Sequence, residues 1–459
     1  MSHRTLTVLL LAVMAVAGPD QRLAEAQDLP PGQASGQDIT VVMETRTQRG
    51  RLRAAVPDAI APPSISSAGR QAGELLMDVL RADLDASGVF IVQGPTELAI
   101  LELAGNPDLD FPMYRSLGNE VLVETRLRDE AGRLIVEGRV FSLEDGKNVL
   151  GKVYRDPTGY SLARRIAHTF SDEIVRSFTG REGIARTSIA FHSDRQDRNG
   201  REVFLMDYDG FDQRPITAHE TLSMSPDWNP KGDTIAYVSY LSGNPGIYVV
   251  NVRSGEKSTA VGSGDFNSSP AFSPDGKSIA FARSVGDGNT EIFIARSDGA
   301  QMRQLTSSRG IDTNPAWSPT GREIAFTSNR AGSVQIYVVS AEGTDTRRIT
   351  FEGRYNDGAA WSPDGTKIAH SSRRQDNQFD IAITDVVTQE TLFLTEGVPG
   401  SHESPSFSPD GRKLAFASTT TSRTATETQI YIMDLNGRNW RQVTSVGNNW
   451  APSWSSYLD

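Results

Sequence analysis

Two patterns of apolar and polar positions divide the chain near residue 180. Between 39 and 180 helical and strand periods alternate. Leu75, Leu76, Val79, Leu80 and Leu84 form a stripe at helical spacing within Gly69 to Ser87, and Leu162, Ile166, Phe170, Ile174 and Phe178 form a second one over 162–178. Ile39 to Met43, Val89 to Val92, Val121 to Leu127, Leu134 to Leu143 and Val149 to Tyr154 read as strands, and turn residues such as Asp129-Glu130-Ala131-Gly132 join the later ones. This segment predicts a small α/β domain over 39–180.

From 184 onward the pattern is purely β, and it repeats. Pro270-Ala271-Phe272-Ser273-Pro274-Asp275-Gly276-Lys277-Ser278-Ile279-Ala280-Phe281 recurs at 315–326, 359–370 and 405–416, with a looser copy at 226–237. Its aromatic is Trp228, Phe272, Trp317, Trp361, Phe407 and Trp454, at spacings of 44, 45, 44, 46 and 47 residues. A period of about 40–50 residues per four-stranded unit is that of a β-propeller. Residues 184–459 are 276 in number and divide into six units of 46. The predicted fold is therefore a small N-terminal α/β domain followed by a six-bladed β-propeller over 184–459. Ser188-Ile189-Ala190-Phe191 comes before any inner-strand motif, and Pro452-Ser453-Trp454-Ser455 has no second strand after it. One blade should therefore take its inner strand from the C-terminus, closing the ring and protecting its edges.

Ahead of both regions, Arg4, the twelve-residue apolar run Leu6 to Ala17 and Ala24-Glu25-Ala26 read as a secretory signal peptide over 1–26, cleaved near Ala26. Residues 27–38, rich in Pro and Gly, read as a flexible tail. The run is too short to span a bilayer, and no cysteine is available for lipidation, so the expected compartment is the periplasm. The absence of cysteine also excludes disulfides and thiolate chemistry. With 46 Lys+Arg against 57 Asp+Glu, the net charge of −11 argues against nucleic-acid or anionic-membrane binding.

Catalytic motifs are absent: no G-x-S-x-G, phosphate loop, dinucleotide loop or H-E-x-x-H occurs. The six histidines show no metal-ligand spacing, so no catalytic residue, metal or cofactor is expected. His402-Glu403 could pair as base and carboxylate but reads better as polar loop surface. Asp227, Asp275, Asp364 and Asp410 read as turn residues. Six equivalent triplets precede the inner strands: Ser223-Met224-Ser225, Asn267-Ser268-Ser269, Asp312-Thr313-Asn314, Asn356-Asp357-Gly358, His402-Glu403-Ser404 and Asn449-Trp450-Ala451. As loops they would ring one mouth of the central channel, where propellers commonly bind. Asp312, Asp357 and Glu403 bias that mouth toward a partner offering Lys/Arg or N–H groups, or toward a cation. Trp450 is the one mouth aromatic suited to stacking on a sugar.

The repeats resemble the PD40, or WD40-like, propeller repeat. His168-Thr169, Ser171-Asp172-Glu173, Phe178-Thr179-Gly180, Gly183, Arg186-Thr187 and Ile189-Ala190-Phe191 resemble the junction between the two domains of the TolB family. Asp207-Tyr208-Asp209-Gly210 and the ending Pro452 to Leu458 resemble it too. The resemblance implies a monomeric, non-enzymatic periplasmic adaptor of the Tol–Pal system, serving outer-membrane integrity and constriction at division. A peptidoglycan-associated lipoprotein (Pal) would dock at the channel mouth, on Asn267, Ser268, Asp312, Thr313, Asn314, Asn356, Asp357, His402, Glu403, Asn449 and Trp450. A TolA-like inner-membrane protein would engage Ile39, Thr40, Val41 and Val42. A propeller subunit of an exported hydrolase or peptidase and a glycan-binding propeller are the competing readings.

Overall fold

The computed structural model describes residues 26–28, 50–102, 110–156, 161–196, 200–262, 266–286, 288–421 and 425–458. The chain divides into two compact units between Thr179 and Gly180.

The first unit is a six-stranded sheet of β1 (Ala26–Asp28), β2 (Leu52–Ala55), β3 (Phe90–Gln93), β4 (Val121–Glu130), β5 (Arg133–Ser142) and β6 (Asn148–Arg155). Their order is β1-β6-β5-β4-β2-β3. β2 runs parallel to β3 and β4, as a βαβ crossover requires, and β4, β5 and β6 form an antiparallel meander. The two striped segments are helices α1 (Ser67–Ala86) and α4 (Ala163–Thr179). Leu76, Leu80 and Leu84 meet Ile166, Phe170, Ile174 and Phe178 in one core. Gly138 in β5 leaves room for the Phe170 ring, since a Cβ there would come within 2.3 Å of it. Within the helix pair, His168 bonds the buried Asp83 at 2.7 Å. Ser66 caps α1 by accepting from the Gly69 N–H.

The sequence pattern did not show β2 or the short helices α2 (Pro95–Glu102) and α3 (Phe111–Ser116). β2 is only four residues long, and both helices fall short of the length at which periodicity speaks. Gln27 and Asp28, read as the start of a tail, pair instead with Val153 and Lys152 of β6. Residues 1–25, the rest of the tail, and Ile39, Thr40, Val41 and Val42 lie outside the described residues. Among the described residues no helix is long and apolar enough to cross a membrane.

The second unit is six four-stranded antiparallel blades. Blade 1 joins the C-terminal strand Asn449–Trp454 to Ser188–Ser193, Glu202–Asp207 and Arg214–Pro215, so the ring closes as its register predicts. The inner strands of blades 2 to 6 are Ser223–Trp228, Asn267–Phe272, Asp312–Trp317, Asn356–Trp361 and Ser401–Phe407. Each inner strand touches those of its two neighbours all the way round.

Two repeated devices hold the blades. The first is the Ser-Pro-Asp-Gly turn. Ser273, Ser362 and Ser408 each donate from Oγ to the Asp two residues on, at 2.6 Å, and that Asp accepts the N–H of Lys277, Thr366 or Arg412. These bonds hold the Asp275 and Asp364 carboxyls below the usual range. Gly276 closes the turn at φ +69°, packed against Pro230 of the preceding blade.

The second device explains why the fourth strands end in Thr. The Thr Oγ accepts the N–H of a third-strand residue and donates to the polar residue before it. Thr306 does so with Ile292 and Glu291, Thr350 with Ile336 and Gln335, Thr395 with Ile381 and Asp380, and Thr444 with Ile430 and Gln429. Thr217 makes the same pair of bonds with Val203 and Glu202 in blade 1.

Candidate partner-binding mouth of the propeller

The six triplets are not loops. Each forms the first three residues of its inner strand, or follows only Ser401 in blade 6. The register against the second strand slips across their third residue and the one after it in every blade. In blade 2, Met224 faces Val238 and Asp227 faces Ala236, so two inner-strand residues oppose Tyr237 alone. That is a β-bulge. The third triplet residue takes the left-handed conformation: Ser225, Ser269, Asn314, Gly358, Ser404 and Ala451 have φ of 51°, 51°, 49°, 69°, 57° and 48°. A proline follows in five of the six, where the bulge needs no ladder donor.

The bulge sorts the three positions. The first residues, Ser223, Asn267, Asp312, Asn356, His402 and Asn449, are at most 1% exposed. They therefore offer a partner no surface, and the placement of Asn267, Asp312, Asn356, His402 and Asn449 in a binding loop is corrected. Several fasten one blade to the one before. Asn356 donates to Gln335 at 2.8 Å and Asn449 to Gln429 at 2.8 Å, so the amide joins the preceding blade's Thr clamp. Asn267 donates to the carbonyls of Pro245 and Gly262. Asp312 pairs with Arg330 at 2.6 Å and accepts from Ser328. Burial pushes its carboxyl up to about 6 despite both partners.

His402 and Glu403 do not form a base–carboxylate pair. The His402 ring meets Phe416 and Trp440 edge-on, its Nδ1 bonds Ser418, and burial drives its pKa down to about 4. Glu403 accepts instead from Ser401.

The second residues, Met224, Ser268, Thr313, Asp357, Glu403 and Trp450, are half-buried, at equivalent places on inner strands that touch one another around the ring. A chain of bonds crosses three blades there. Ser269 donates to Asn314 at 2.6 Å, Asn314 donates to Asp357 at 2.7 Å, and Thr327 donates to the same Asp357 oxygen. Trp450 is not a free stacking platform. The Arg201 guanidinium lies 4.0 Å over its ring, and His192 stacks at 5.5 Å. Burial and Arg201 keep His192 neutral, with a pKa near 3.

Asp227 is also reassigned. It sits in the blade 2 inner strand at the place of Ala271, Ala316, Ala360, Ser406 and Ser453, and not in the turn. Its Oδ2 accepts the Phe272 N–H at 2.8 Å, and burial raises its pKa to about 7.

One ring of positions escaped the sequence reading. The residues just before the triplets are Leu222, Phe266, Ile311, Tyr355, Ser401 and Asn448. Carbonyls of the first four accept from the ends of the second strands. Phe266 and Ile311 are 49% and 44% exposed. Aligning the repeats one residue further upstream shows four apolar residues in a row at that place.

These features define a β-propeller protein with an α/β domain ahead of it. The TolB beta propeller domain matches residues 175–458 and the TolB amino-terminal domain residues 49–149. The chain belongs to the TolB family. It is 33% identical over 231 residues to a Tol-Pal system protein TolB of Anaeromyxobacter dehalogenans, covering 48% of this chain and 50% of that one. It is 31% identical over 242 residues to one of Alcanivorax borkumensis, covering 52% and 54%. The match thus spans about half the length of these curated relatives. The crystal structure of TolB from Acinetobacter baumannii superposes with a TM-score of 0.74 at 25% identity, covering 95% of this chain and all of that one. The relatives carry the name of a system component and not of an enzyme, in keeping with the non-enzymatic reading.

Proposed function

We propose that this chain is a periplasmic adaptor of the Tol–Pal system. The propeller mouth binds a peptidoglycan-associated lipoprotein, and the N-terminal region engages a TolA-like inner-membrane protein. The observation that carries the reading is the mouth itself, where one repeated backbone slot presents six different half-exposed side chains on a rigid ring. A surface that varies on a fixed frame suits recognition of a folded protein more than catalysis. The family supplies the partner's class, and the export signal read in the sequence supplies the compartment. The engaged ring of Trp450 argues against the glycan-binding reading, and the inert His402 against the hydrolase.

The test is a pull-down from solubilised envelope with the mature chain and with a version lacking 27–38. Both should capture a peptidoglycan-associated lipoprotein, and loss of TolA from the shortened version would assign that contact to the tail. Capture of no envelope lipoprotein by either sinks the proposal.

A further inference from the structure

The mouth is not uniform around its six blades. On blades 2 to 5 the positions before the triplets carry Leu222, Phe266, Ile311 and Tyr355. Leu241 and Val285, 51% and 44% exposed, stand beside two of them, since Tyr240 and Ser284 donate to the Leu222 and Phe266 carbonyls. Single exposed apolar residues are ordinary, but a run of them at equivalent places on adjoining blades is a patch. On blades 5 and 6 the inner positions are acidic. All three bonds to Asp357, from Asn314, Thr327 and the Gly358 N–H, fall on Oδ1. The Glu403 bond falls on Oε1. Among the described residues, one oxygen of each carboxylate is thus left without a donor. Burial, with Asp357 as a like-charged neighbour, raises the Glu403 pKa, so a cation between them would relieve an existing repulsion. Arg373, which faces Tyr355 together with both carboxylates, lies over that ring, and Arg374 pairs with Asp376 and Asp380.

We infer that the mouth is two-sided, and that it seats a protein surface whose apolar protrusion packs on the Phe266–Ile311 side while an adjacent lysine or arginine enters between Asp357 and Glu403. This rests on the adaptor reading and adds the chemistry of the partner and its azimuth. Six similar blades offer six equivalent rotations, and placing apolar contact and charge on different blades leaves one of them favoured.

The test uses the full mature chain and the purified peptidoglycan-associated lipoprotein, with affinity measured by calorimetry at low and high salt and across pH. Phe266→Ser should weaken binding about tenfold at both salts. Glu403→Gln should weaken it severalfold and remove most of the salt dependence, and Glu403→Lys should cost more than about tenfold. Wild-type binding should tighten as pH rises through the raised Glu403 range, and that step should vanish in Glu403→Gln. Thermal melting of each variant reports whether the fold is kept. Wild-type-like affinity in either the Phe266 or the Glu403 variants overturns the two-sided mouth while leaving the adaptor reading in place. Failure of the wild type itself to bind the lipoprotein overturns the adaptor reading, and this inference with it.

Discussion

The same six inner strands end in opposite ways. At one end the Ser-Pro-Asp-Gly turns repeat with little change, and even where Thr320 replaces the Asp, Ser318 still pairs with it at 3.2 Å. In blades 3 to 6 the turn glycine lies against the preceding blade's proline, as Gly321 does against Pro274 and Gly411 against Pro363. The break in blade 1 is covered by the C-terminus, where Ser456 donates to the Pro230 carbonyl and Leu458 lies over Gly232. At the other end the backbone repeats as faithfully, with one bulge and one left-handed residue per blade. The side chains at the second position, however, run from Met224 and Ser268 to Glu403 and Trp450. Where backbone and side chain repeat together the chain is building scaffold. Where only the backbone repeats, the frame is held constant so that something else can vary.

That contrast is broken most severely at the covered end. Deleting the last eight residues removes Trp454, whose indole donates to Thr187 at 2.8 Å, together with Ser455, Ser456 and Leu458. It also opens an edge on Ser188–Ser193. The cost should exceed about 5 kcal/mol and end cooperative unfolding of the propeller, read by denaturant titration. A full-length-like transition would show that the closure is dispensable.

The Thr clamps come next. Thr350→Val keeps the shape but leaves the Ile336 N–H and the side-chain Oε1 of Gln335 without their hydroxyl, for about 2 kcal/mol.

Asp227 gives an effect of similar size and opposite sign, dependent on pH. Its native pKa lies near 7, above the unfolded carboxylate value, so the native state holds the proton more tightly. The wild type therefore loses stability as pH rises from about 4 to about 7. Asp227→Ser keeps an oxygen where Ser406 serves Trp454 and should gain on the order of 2 kcal/mol at pH 8 but little at pH 4. A gain independent of pH would assign it to packing. Ala451→Gly, which relieves a left-handed alanine, should add about 1 kcal/mol in the same melts.

The sequence carried the repeat, the blade count and the C-terminal closure, because each is written as an interval between aromatic motifs. It also placed α1 and α4, whose stripes are long enough to read. What it misjudged was depth. Asn267 and Ser268 are both small and polar, and nothing in their composition says that one is sealed inside the ring while the other faces the opening. The bulge decides that, and it depends on a φ that Ser269 or Ala451 does not advertise as glycine would. Asp227 was misplaced for a related reason, as the general acidity of the motif hid its alignment with Ala271. Phe266 and Ile311 were passed over because apolar residues in a connection form no period.

The smallest expected change in stability gives the cleanest test of the comparison. Two mouth substitutions suggest themselves from sequence, Thr313→Ile and Asp357→Lys, and the structure separates them. Asp357 accepts from Asn314, Thr327 and the Gly358 N–H, each at 2.7 Å, so a lysine there strands three donors and should cost about 2–3 kcal/mol of folding along with any binding. Thr313 is half-buried, follows a first position that is fully sealed, and stands in a backbone slot that tolerates Met224 and Trp450 in other blades. Isoleucine keeps its β-branching and suits a strand. Thr313→Ile should therefore leave the melting temperature within the scatter of repeat measurements, while the added bulk at its position on the ring should weaken lipoprotein binding about tenfold. If both fall together, the second positions are scaffold like the first and the two ends of the ring are not different in kind. If only binding falls, variation on a fixed backbone is where this propeller keeps its specificity.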